Sequence, residues 1–319
     1  MEDCPQVTHD DVLAAAERIS GAVKRTPLVE AKIRGSRVWL KCESLQTGGS
    51  FKLRGATNRL MRLSEEERAR GVVAFSSGNH AQGVAIAAKR LGISAIIVMP
   101  SDAPRLKVDG TRSQGAEIIF FDRRTESREK IAAGIAAEKG SVVVPSFDDP
   151  HIVAGQGTAG LEVLDQLAET GLLAPAQILV NCGGGGLSAG VALACPEACI
   201  VPVEPEGWDD MRKSLELGEI MPVPADAPPT LCDALQTPKV SPITFGILKV
   251  RGVKGLAVSE DEIASAVRWA WHEHGLVVEP GGAASIAALL AGRAEIVPET
   301  VALVSGGNID PELHARLVG

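Results

Sequence analysis

Apolar and polar positions along this chain follow a pattern that is typical of an α/β protein. Apolar, mostly β-branched runs with little alternation predict strands that are buried on both faces of a sheet. These runs lie at 72–75, 94–99, 116–121, 141–144, 177–181, 199–203 and 299–304. Helical spacing predicts helices between them, at about 80–91, 105–114, 125–139, 155–170, 187–194, 260–274 and 282–292. This alternation favours right-handed βαβ units and mainly parallel sheets.

Helix starts are marked by polar residues at the spacing of a capping box. The spacing occurs from Thr8 to Asp11, from Ser64 to Glu67 and from Ser259 to Glu262. In this motif, the first and fourth side chains satisfy the exposed N–H groups of the first helical turn. The stretch 205–246 contains seven prolines and little periodicity, which predicts an irregular excursion over the surface near the active site.

Composition narrows the possible classes of protein. The 319 residues are 45% hydrophobic and 23% charged, with a net charge of -8 that argues against a nucleic-acid surface. No apolar stretch is long enough to span a bilayer, and the first residues do not resemble a signal peptide, so a cytoplasmic protein without membrane partners is expected. The six cysteines lack paired CxxC spacing and are expected to be free thiols.

Four polar loops carry the candidate chemistry. Three of them, at 76–80, 183–186 and 305–308, lie at or near the end of an apolar segment, where an open α/β sheet gathers its ligand groups. The loops contain Lys52 in the run 50–56, a Ser-Ser-Gly-Asn-His segment at 76–80, four glycines at 183–186 and a Ser-Gly-Gly-Asn segment at 305–308. One lysine can form a Schiff base, one glycine loop can hold a phosphate, and two polar loops can flank an aromatic ring. This combination predicts a pyridoxal phosphate site.

These loops, together with Gly155-Gln156-Gly157-Thr158, resemble the motifs of the fold-type-II pyridoxal phosphate enzymes, in the order in which that family carries them. The nearest subgroup is that of the short serine/threonine dehydratases and serine racemases. The resemblance runs from about residue 8 to 310. It implies an α/β fold like that of tryptophan synthase β, with two open, mainly parallel sheets flanked by helices. It also implies a large domain formed by 1–70 and 148–319, a small domain formed by 71–147, and a homodimer or homotetramer.

The resemblance assigns the coenzyme contacts. Lys52 would be the Schiff-base lysine and the general base, and partial burial would favour its neutral form. Phe51 would pack beneath the ring. The run Gly183, Gly184, Gly185 and Gly186, followed by Leu187, would close its backbone N–H groups on the phosphate at a helix N-terminus. Asn79 would donate to the ring hydroxyl oxygen. Ser305 would face the pyridine nitrogen, and its neutral hydroxyl favours elimination over transamination.

The substrate side is assigned in the same way. The implied substrate-binding residues are Ser76, Ser77, Asn79, His80, Arg128 and Thr237. Arg128 would approach the substrate carboxylate, although an exposed helix charge is an equally ordinary explanation. Ser77 matches the catalytic hydroxyl that serine racemases place opposite the lysine, whereas Phe147 and the segment 232–237 match the dehydratases.

A divalent-cation loop is also implied. In the segment 204–210, Glu204 and Asp210 match the carboxylate ligands of the family's metal loop, and the carbonyl of Trp208 matches its backbone ligand. Oxygen ligands of this kind suit Mg²⁺ or Ca²⁺. The alternative is an acidic loop that is simply solvated.

The sequence therefore predicts a pyridoxal 5'-phosphate-dependent ammonia-lyase that eliminates water from L-serine or L-threonine, giving a 2-oxo acid and ammonia. Serine racemase and 3-hydroxyaspartate dehydratase remain alternatives, because their matches conflict at Ser77 and Phe147. A non-catalytic protein that binds pyridoxal phosphate or an amino acid is the rival from a different class. The intact Lys52, Ser77 and Ser305 speak against that rival.

Overall fold

The computed structural model describes residues 6–76, 78–103 and 105–319. These residues form two sheets. The strands are β1 Leu28–Ile33, β2 Ser36–Cys42, β3 Val72–Phe75, β4 Ala95–Pro100, β5 Glu117–Phe121, β6 Val142–Val143, β7 Gln177–Asn181, β8 Cys199–Pro205, β9 Leu256–Val258 and β10 Thr300–Val304. The six-stranded sheet has the order β1-β2-β10-β7-β8-β9, and the four-stranded sheet has the order β5-β4-β3-β6.

Strand pairing agrees with the predicted parallel architecture. Strand β1 pairs antiparallel with β2 as a hairpin, and the other strand pairs of the described chain are parallel. The seven predicted strands are confirmed as β3 to β8 and β10, to within two residues at each end. The four-stranded sheet falls inside the segment 71–147, while the domain boundaries themselves stay a prediction.

Helices cover both sheets. They are α1 His9–Ile19, α2 Lys52–Met61, α3 Glu65–Arg70, α4 Asn79–Leu91, α5 Arg105–Arg112, α6 Arg128–Lys139, α7 Pro150–Glu169, α8 Gly186–Ala194, α9 Asp210–Leu217, α10 Pro242–Val250, α11 Glu260–His274, α12 Pro280–Leu290 and α13 Pro311–Val318. All three predicted capping boxes are present, at the starts of α1, α3 and α11.

The prediction of an irregular stretch at 205–246 is wrong in part. Helix α9 lies inside it and α10 begins within it. Pro242 occupies the first turn of α10, and Ser241 caps this helix through Thr244. A proline at this position costs little, because its missing N–H would have no intrahelical partner there. One proline of this stretch therefore marks the start of a helix. Composition alone does not distinguish such a proline from one in a loop.

The core lies on both faces of the six-stranded sheet. Along β7, Ile178 and Val180 pack into one apolar cluster, while Leu179 between them packs into the cluster on the opposite face. This two-sided burial explains why the strand sequence shows little alternation. Smaller apolar clusters cover the two faces of the four-stranded sheet.

None of the helices in the described ranges is long and apolar enough to cross a membrane.

A buried ionic cluster attaches α2 to the rest of the fold. The Arg54 guanidinium donates to Glu43 at 2.7 Å and to Glu162 of α7 at 2.6 Å, and the Arg54 and Glu43 side chains are fully buried. The buried Lys41 of β2 reaches the same Glu162 at 2.5 Å. Burial disfavours the guanidinium charge, but the two carboxylates outweigh it and raise the pKa of Arg54. The cluster joins β2, α2 and α7.

Removing one member of this cluster is expected to be costly. Arg54→Met leaves the Glu43 carboxylate buried without its cation, which should lower the free energy of unfolding by about 3–5 kcal/mol. The matched control is Arg25→Met, because Arg25 pairs with Glu169 at an exposed site and should lose at most about 1 kcal/mol. Urea unfolding followed by circular dichroism measures both variants. If both variants lose the same free energy of unfolding, the buried cluster contributes no more to stability than an exposed ion pair.

Candidate active site

A cavity of about 550 Å³ lies where loops from both sheets meet. The loop after β3 comes from the four-stranded sheet, and the loops after β7 and β10 come from the six-stranded sheet. The predicted residues that line this cavity are Phe51, Lys52, Ser76, Asn79, His80, Arg128, Gly183, Gly184, Gly185, Gly186, Leu187, Thr237 and Ser305. Residues from distant parts of the chain thus converge on one cavity.

Two groups of predicted residues do not belong to that lining. Ser77, the predicted second catalytic residue, lies outside the described residues. Glu204, Trp208 and Asp210, the predicted metal ligands, lie at a separate place at the end of β8 and the start of α9.

Lys52 is the first residue of α2, and its side chain points into the cavity. Its Nζ donates to the carbonyl oxygen of Ser146 at 3.1 Å and lies 5.1 Å from the centre of the Phe51 ring. Burial lowers the pKa of Lys52 to about 8, while the negative charge of Glu279 acts in the opposite direction. The neutral amine, which a nucleophile requires, is therefore more accessible near neutral pH than for an ordinary lysine.

The glycine run forms a cradle without side chains at the start of α8. Gly185 has a φ of 84°, a left-handed conformation that glycine adopts without strain. A Cβ atom on Gly184 would lie 2.3 Å from the ring of Phe147, so this position has no room for any other residue. The Thr244 hydroxyl fixes the run by donating a hydrogen bond to the Gly184 carbonyl at 2.9 Å. Helix N-termini of this kind bind phosphate through free backbone N–H groups.

Asn79 and Ser305 occupy other parts of the cavity wall. The carboxamide of Asn79 donates to Glu279 at 2.5 Å and accepts from Asn308 at 2.7 Å. The Ser305 hydroxyl oxygen accepts from Asn181 at 2.9 Å, which leaves its own proton free to donate. Both side chains are buried. They are polar groups held in fixed orientations, as the recognition of an aromatic ring with polar substituents requires.

The loop after β3 and the start of α4 supply further polar groups. Ser76 is half-buried, and its hydroxyl accepts from the N–H of Gly78 at 3.1 Å. His80 is buried, and its Nε2 lies 2.9 Å from the Val144 carbonyl, so Nε2 carries the proton. Burial, followed by the charge of Lys52, lowers the pKa of His80 to about 3. The imidazole is therefore neutral at ordinary pH.

Arg128 and Thr237 complete the predicted lining. Arg128 starts α6, its guanidinium lies 5.5 Å from the centre of the Phe75 ring, and its Nε donates to Glu129 at 2.8 Å. Thr237 places its hydroxyl 3.1 Å from where a Cβ of Gly183 would be. Of the two interpretations of Arg128, its position in the cavity wall favours contact with a ligand.

Sequence reasoning missed several residues of the cavity wall. Glu279, Lys107 and Asp233 all line the cavity, and Lys107 forms an ion pair with Asp233. Glu279 directly precedes Pro280 at the start of α12, after an apolar run. Nothing in that local pattern distinguishes it from an ordinary charge at a helix start.

The predicted metal ligands form a second polar site. Both oxygens of Glu204 accept backbone N–H groups, from Met211 at 3.0 Å and from Arg212 at 2.8 Å. Neither carboxylate oxygen of Asp210 has a hydrogen-bond partner within the described chain. Burial raises the pKa of Glu204 and raises that of Asp210 to about 7. Over the described ranges, no group of three or more His, Cys, Asp and Glu side chains could hold a metal ion.

Comparison with known proteins identifies the family. Residues 19–307 match the family described as pyridoxal-phosphate dependent enzyme. The chain is 42% identical to L-threo-3-hydroxyaspartate ammonia-lyase of Pseudomonas sp, over 98% of this chain and 98% of the relative. It is 39% identical to serine racemase of Schizosaccharomyces pombe, over 98% of this chain and 97% of the relative. A solved threonine deaminase, from the organism abbreviated T.th., matches with a TM-score of 0.87 and 42% identity, over 94% of this chain and 98% of that structure.

The chain therefore belongs to the pyridoxal-phosphate-dependent enzymes and has their fold-type-II architecture. The predicted class, that of the ammonia-lyases and serine racemases, is confirmed. The described site fits the coenzyme, because it combines a lysine of lowered pKa with a glycine cradle that any Cβ would fill.

The cradle can be tested by adding one methyl group. Gly184→Ala would push a Cβ into Phe147 and should weaken pyridoxal phosphate binding by about tenfold or more, as expected for overpacking at a tight site. The matched control is Gly134→Ala in α6, where a Cβ meets nothing within 4 Å. Coenzyme titration of the two apoproteins compares them. If Gly184→Ala binds the coenzyme with unchanged affinity, the glycine run does not form part of the coenzyme site.

Proposed function

We propose that this chain eliminates water from L-serine or L-threonine and releases a 2-oxo acid and ammonia. The observation that carries the proposal is the placement of Lys52. It is a half-buried amine of lowered pKa at the wall of a cavity that also contains a glycine cradle and a neutral serine hydroxyl. The family and its ammonia-lyase and deaminase relatives support the same reaction class.

In the proposed site, Lys52 would anchor pyridoxal phosphate covalently and the N–H groups of 183–186 would hold the phosphate. Asn79 would donate to the ring oxygen, Ser305 would face the ring nitrogen, and Phe51 would pack beneath the ring. When bound, the coenzyme delocalises the electron pair that remains at the substrate α-carbon after proton removal. A serine at the ring nitrogen, rather than a carboxylate, keeps that delocalisation modest and favours rapid loss of the β-hydroxyl group.

Lys52 would also act as the general base toward the substrate. Its amine removes the α-proton, which requires that it be neutral. The lowered pKa, near 8, keeps the neutral form accessible without making the amine a poor base. His80 is neutral at ordinary pH, so it adds no second positive charge beside Lys52.

The substrate carboxylate is proposed to bind to the loop at 76–80, at the N-terminus of α4. Ser76, Ser77, Asn79 and His80 belong to this loop. The first turn of a helix offers free N–H groups to an anion. Arg128 and Thr237 lie at the cavity wall and are proposed to contact the rest of the substrate.

Serine and threonine have no second carboxylate that would need a cation. Two of the cations in the cavity wall already have acidic partners, because Lys107 pairs with Asp233 and Arg128 pairs with Glu129. The similarity to the Pseudomonas lyase nevertheless makes L-threo-3-hydroxyaspartate the second candidate substrate.

The substrate prediction is tested by measuring 2-oxo acid release from L-serine, L-threonine and both diastereomers of 3-hydroxyaspartate. We expect the largest kcat/KM with serine or threonine. Lys52→Ala should lose activity with every substrate by about 10³-fold or more, since the anchor and the base are both removed. Borohydride reduction should fix the coenzyme on the peptide that contains Lys52.

Two outcomes of this assay would change the proposal. A higher kcat/KM with 3-hydroxyaspartate would transfer the assignment to the second candidate. Labelling of a different lysine would overturn the site itself. Chiral analysis of the same reactions measures racemisation, which we assign to Ser77 on the opposite substrate face. Ser77→Ala should therefore abolish D-serine formation and leave L-elimination within roughly tenfold of wild type.

A divalent cation, Mg²⁺ or Ca²⁺, is proposed at Glu204, Asp210 and the carbonyl of Trp208. The two buried oxygens of Asp210 that lack partners within the described chain support this proposal. A cation there would neutralise two acidic groups that burial makes costly to ionise. Its contribution is structural, because these residues do not line the active-site cavity. The homodimer or homotetramer and the cytoplasmic location stay predictions of the sequence.

Without the cation, the ionisation of Asp210 should make the stability of the folded protein fall as pH rises. Asp210 has a pKa of about 7 in the folded protein, against an ordinary value of 3.8. Between these values the folded state holds more protons than the unfolded state, so the chelated protein should lose stability as pH rises through this window. Added Mg²⁺ or Ca²⁺ should restore it, by about 2.7 kcal/mol at an ion concentration of about 100 times Kd.

Thermal unfolding between pH 5 and 8, with a chelator or with added ion, measures this effect. Asp210→Asn should lose the response to the ion, and the matched control Glu206→Gln, an exposed carboxylate of the same loop, should keep it. A melting temperature that chelation leaves unchanged at pH 8 would favour the solvated-loop alternative.

A further inference from the structure

Glu279 is a buried acidic residue at the start of α12 that does not cap its own helix. It occupies the N-cap position, where a side chain ordinarily accepts a backbone N–H of the first turn, yet it makes no such hydrogen bond. Its side chain is buried, with the residue 2% exposed, and turns toward the active-site cavity. There Oε1 accepts from the Asn79 carboxamide at 2.5 Å. The side chain therefore satisfies a group of the site rather than its helix.

The chain backbone accommodates this arrangement at Gly306. A Cβ on that residue would lie 1.9 Å from Glu279 Oε1 and 3.1 Å from Asn79 Nδ2. The Gly306 carbonyl also accepts the backbone N–H of Glu279 at 3.1 Å. The glycine thus leaves room for the contact between Glu279 and Asn79, immediately beside Ser305.

Asn79 is held from both sides in a single orientation. Asn308 donates to its oxygen at 2.7 Å and to the Gly48 carbonyl at 2.8 Å, while Glu279 accepts from its nitrogen. A carboxamide turned by 180° would place oxygen against the Glu279 carboxylate and N–H against the Asn308 donor. The two neighbours therefore exclude the flipped form. One N–H of Asn79 remains free, on the nitrogen that already contacts Glu279.

We propose that Glu279 is a positioning residue, which acts through Asn79 to aim this free N–H at the ring oxygen of the coenzyme. We also propose that ionisation of Glu279 changes the visible absorption of the bound coenzyme. The inference rests on the position of the coenzyme ring in the proposed function, and it does not depend on which amino acid is the substrate.

The charges around Glu279 support the coupling. Burial, followed by the negative charge of Asp233, raises the pKa of Glu279 to about 7, and the cations Lys107 and Lys52 act in the opposite direction. The Cys232 thiol also interacts with this carboxyl, whose charge raises the pKa of the thiol. Glu279 is thus protonated in mildly acidic solution and ionised above neutrality. Its negative charge favours a positive charge at Lys52.

The holoenzyme provides two readouts besides activity. The first is the visible absorption of the bound coenzyme as a function of pH. The second is the rate of coenzyme release during dialysis against coenzyme-free buffer. Three variants are compared with wild type: Glu279→Gln, which can still accept from Asn79 but cannot ionise, Glu279→Ala, which can do neither, and the exposed control Glu273→Gln.

The wild type and Glu273→Gln should show a spectral change with a midpoint near the Glu279 pKa of about 7. Glu279→Gln should lose that change, while its rate of coenzyme release stays within about threefold of wild type. Glu279→Ala should release coenzyme about tenfold faster or more, because the Asn79 carboxamide loses the partner that fixes it. A purely structural role for Glu279 would not remove the spectral midpoint in the glutamine variant.

The proposal is overturned if Glu279→Gln keeps the wild-type midpoint, or if Glu279→Ala releases coenzyme at the wild-type rate. If the alanine variant does not fold, Asn308→Ala replaces it, because it removes the partner on the other side of the same carboxamide. That variant should also release coenzyme about tenfold faster, and an unchanged rate would contradict the proposal. A holoenzyme without any visible coenzyme band at Lys52 would instead refute the proposed function.

Discussion

The buried ion cluster around Arg54 is the interaction on which the site depends. Lys52 begins the helix that carries Arg54, and Arg54 ties this helix to Glu43 beyond β2 and to Glu162 of α7. A buried guanidinium is stable only where carboxylates surround it in good geometry. The position of Arg54 is therefore strongly constrained, and Lys52 lies two residues away on the same rigid element. The reactive amine is placed by charges that lie outside the cavity.

The cavity itself follows from the way parallel sheets end. Strands β3, β7 and β10 lead into the polar loops at 76–80, 183–186 and 305–308, and these loops converge although they belong to two different sheets. The cavity wall combines glycines and small polar side chains with charged residues, among them Lys107, Arg128 and Asp233. Two further charged groups of the cavity wall, the half-buried Lys52 and the buried Glu279, influence each other's pKa.

Where prediction failed, the physical reason is long-range contact. Helix α2 was not foreseen, because the pattern around Lys52 mixes glycine and polar residues that only become buried against α4 and α7. The strands β1 and β2 were missed as well. Their hairpin pairing is local, and only β2 makes a further, long-range pairing with β10. Glu279 was not predicted as a site residue, because its partner Asn79 is 200 positions away in the sequence. Sequence periodicity carries no information about such partners.

The sequence by itself determined the class of fold, the positions of seven strands and many of the residues that line the cavity. It could do so because buried parallel strands need continuous apolar runs, and because phosphate cradles and Schiff bases need particular residues. The tertiary structure decided which charges are buried together and which way side chains such as Asn79 and Glu279 face. Those properties arise from desolvation and hydrogen bonding between distant segments, and they exist only once the chain has folded.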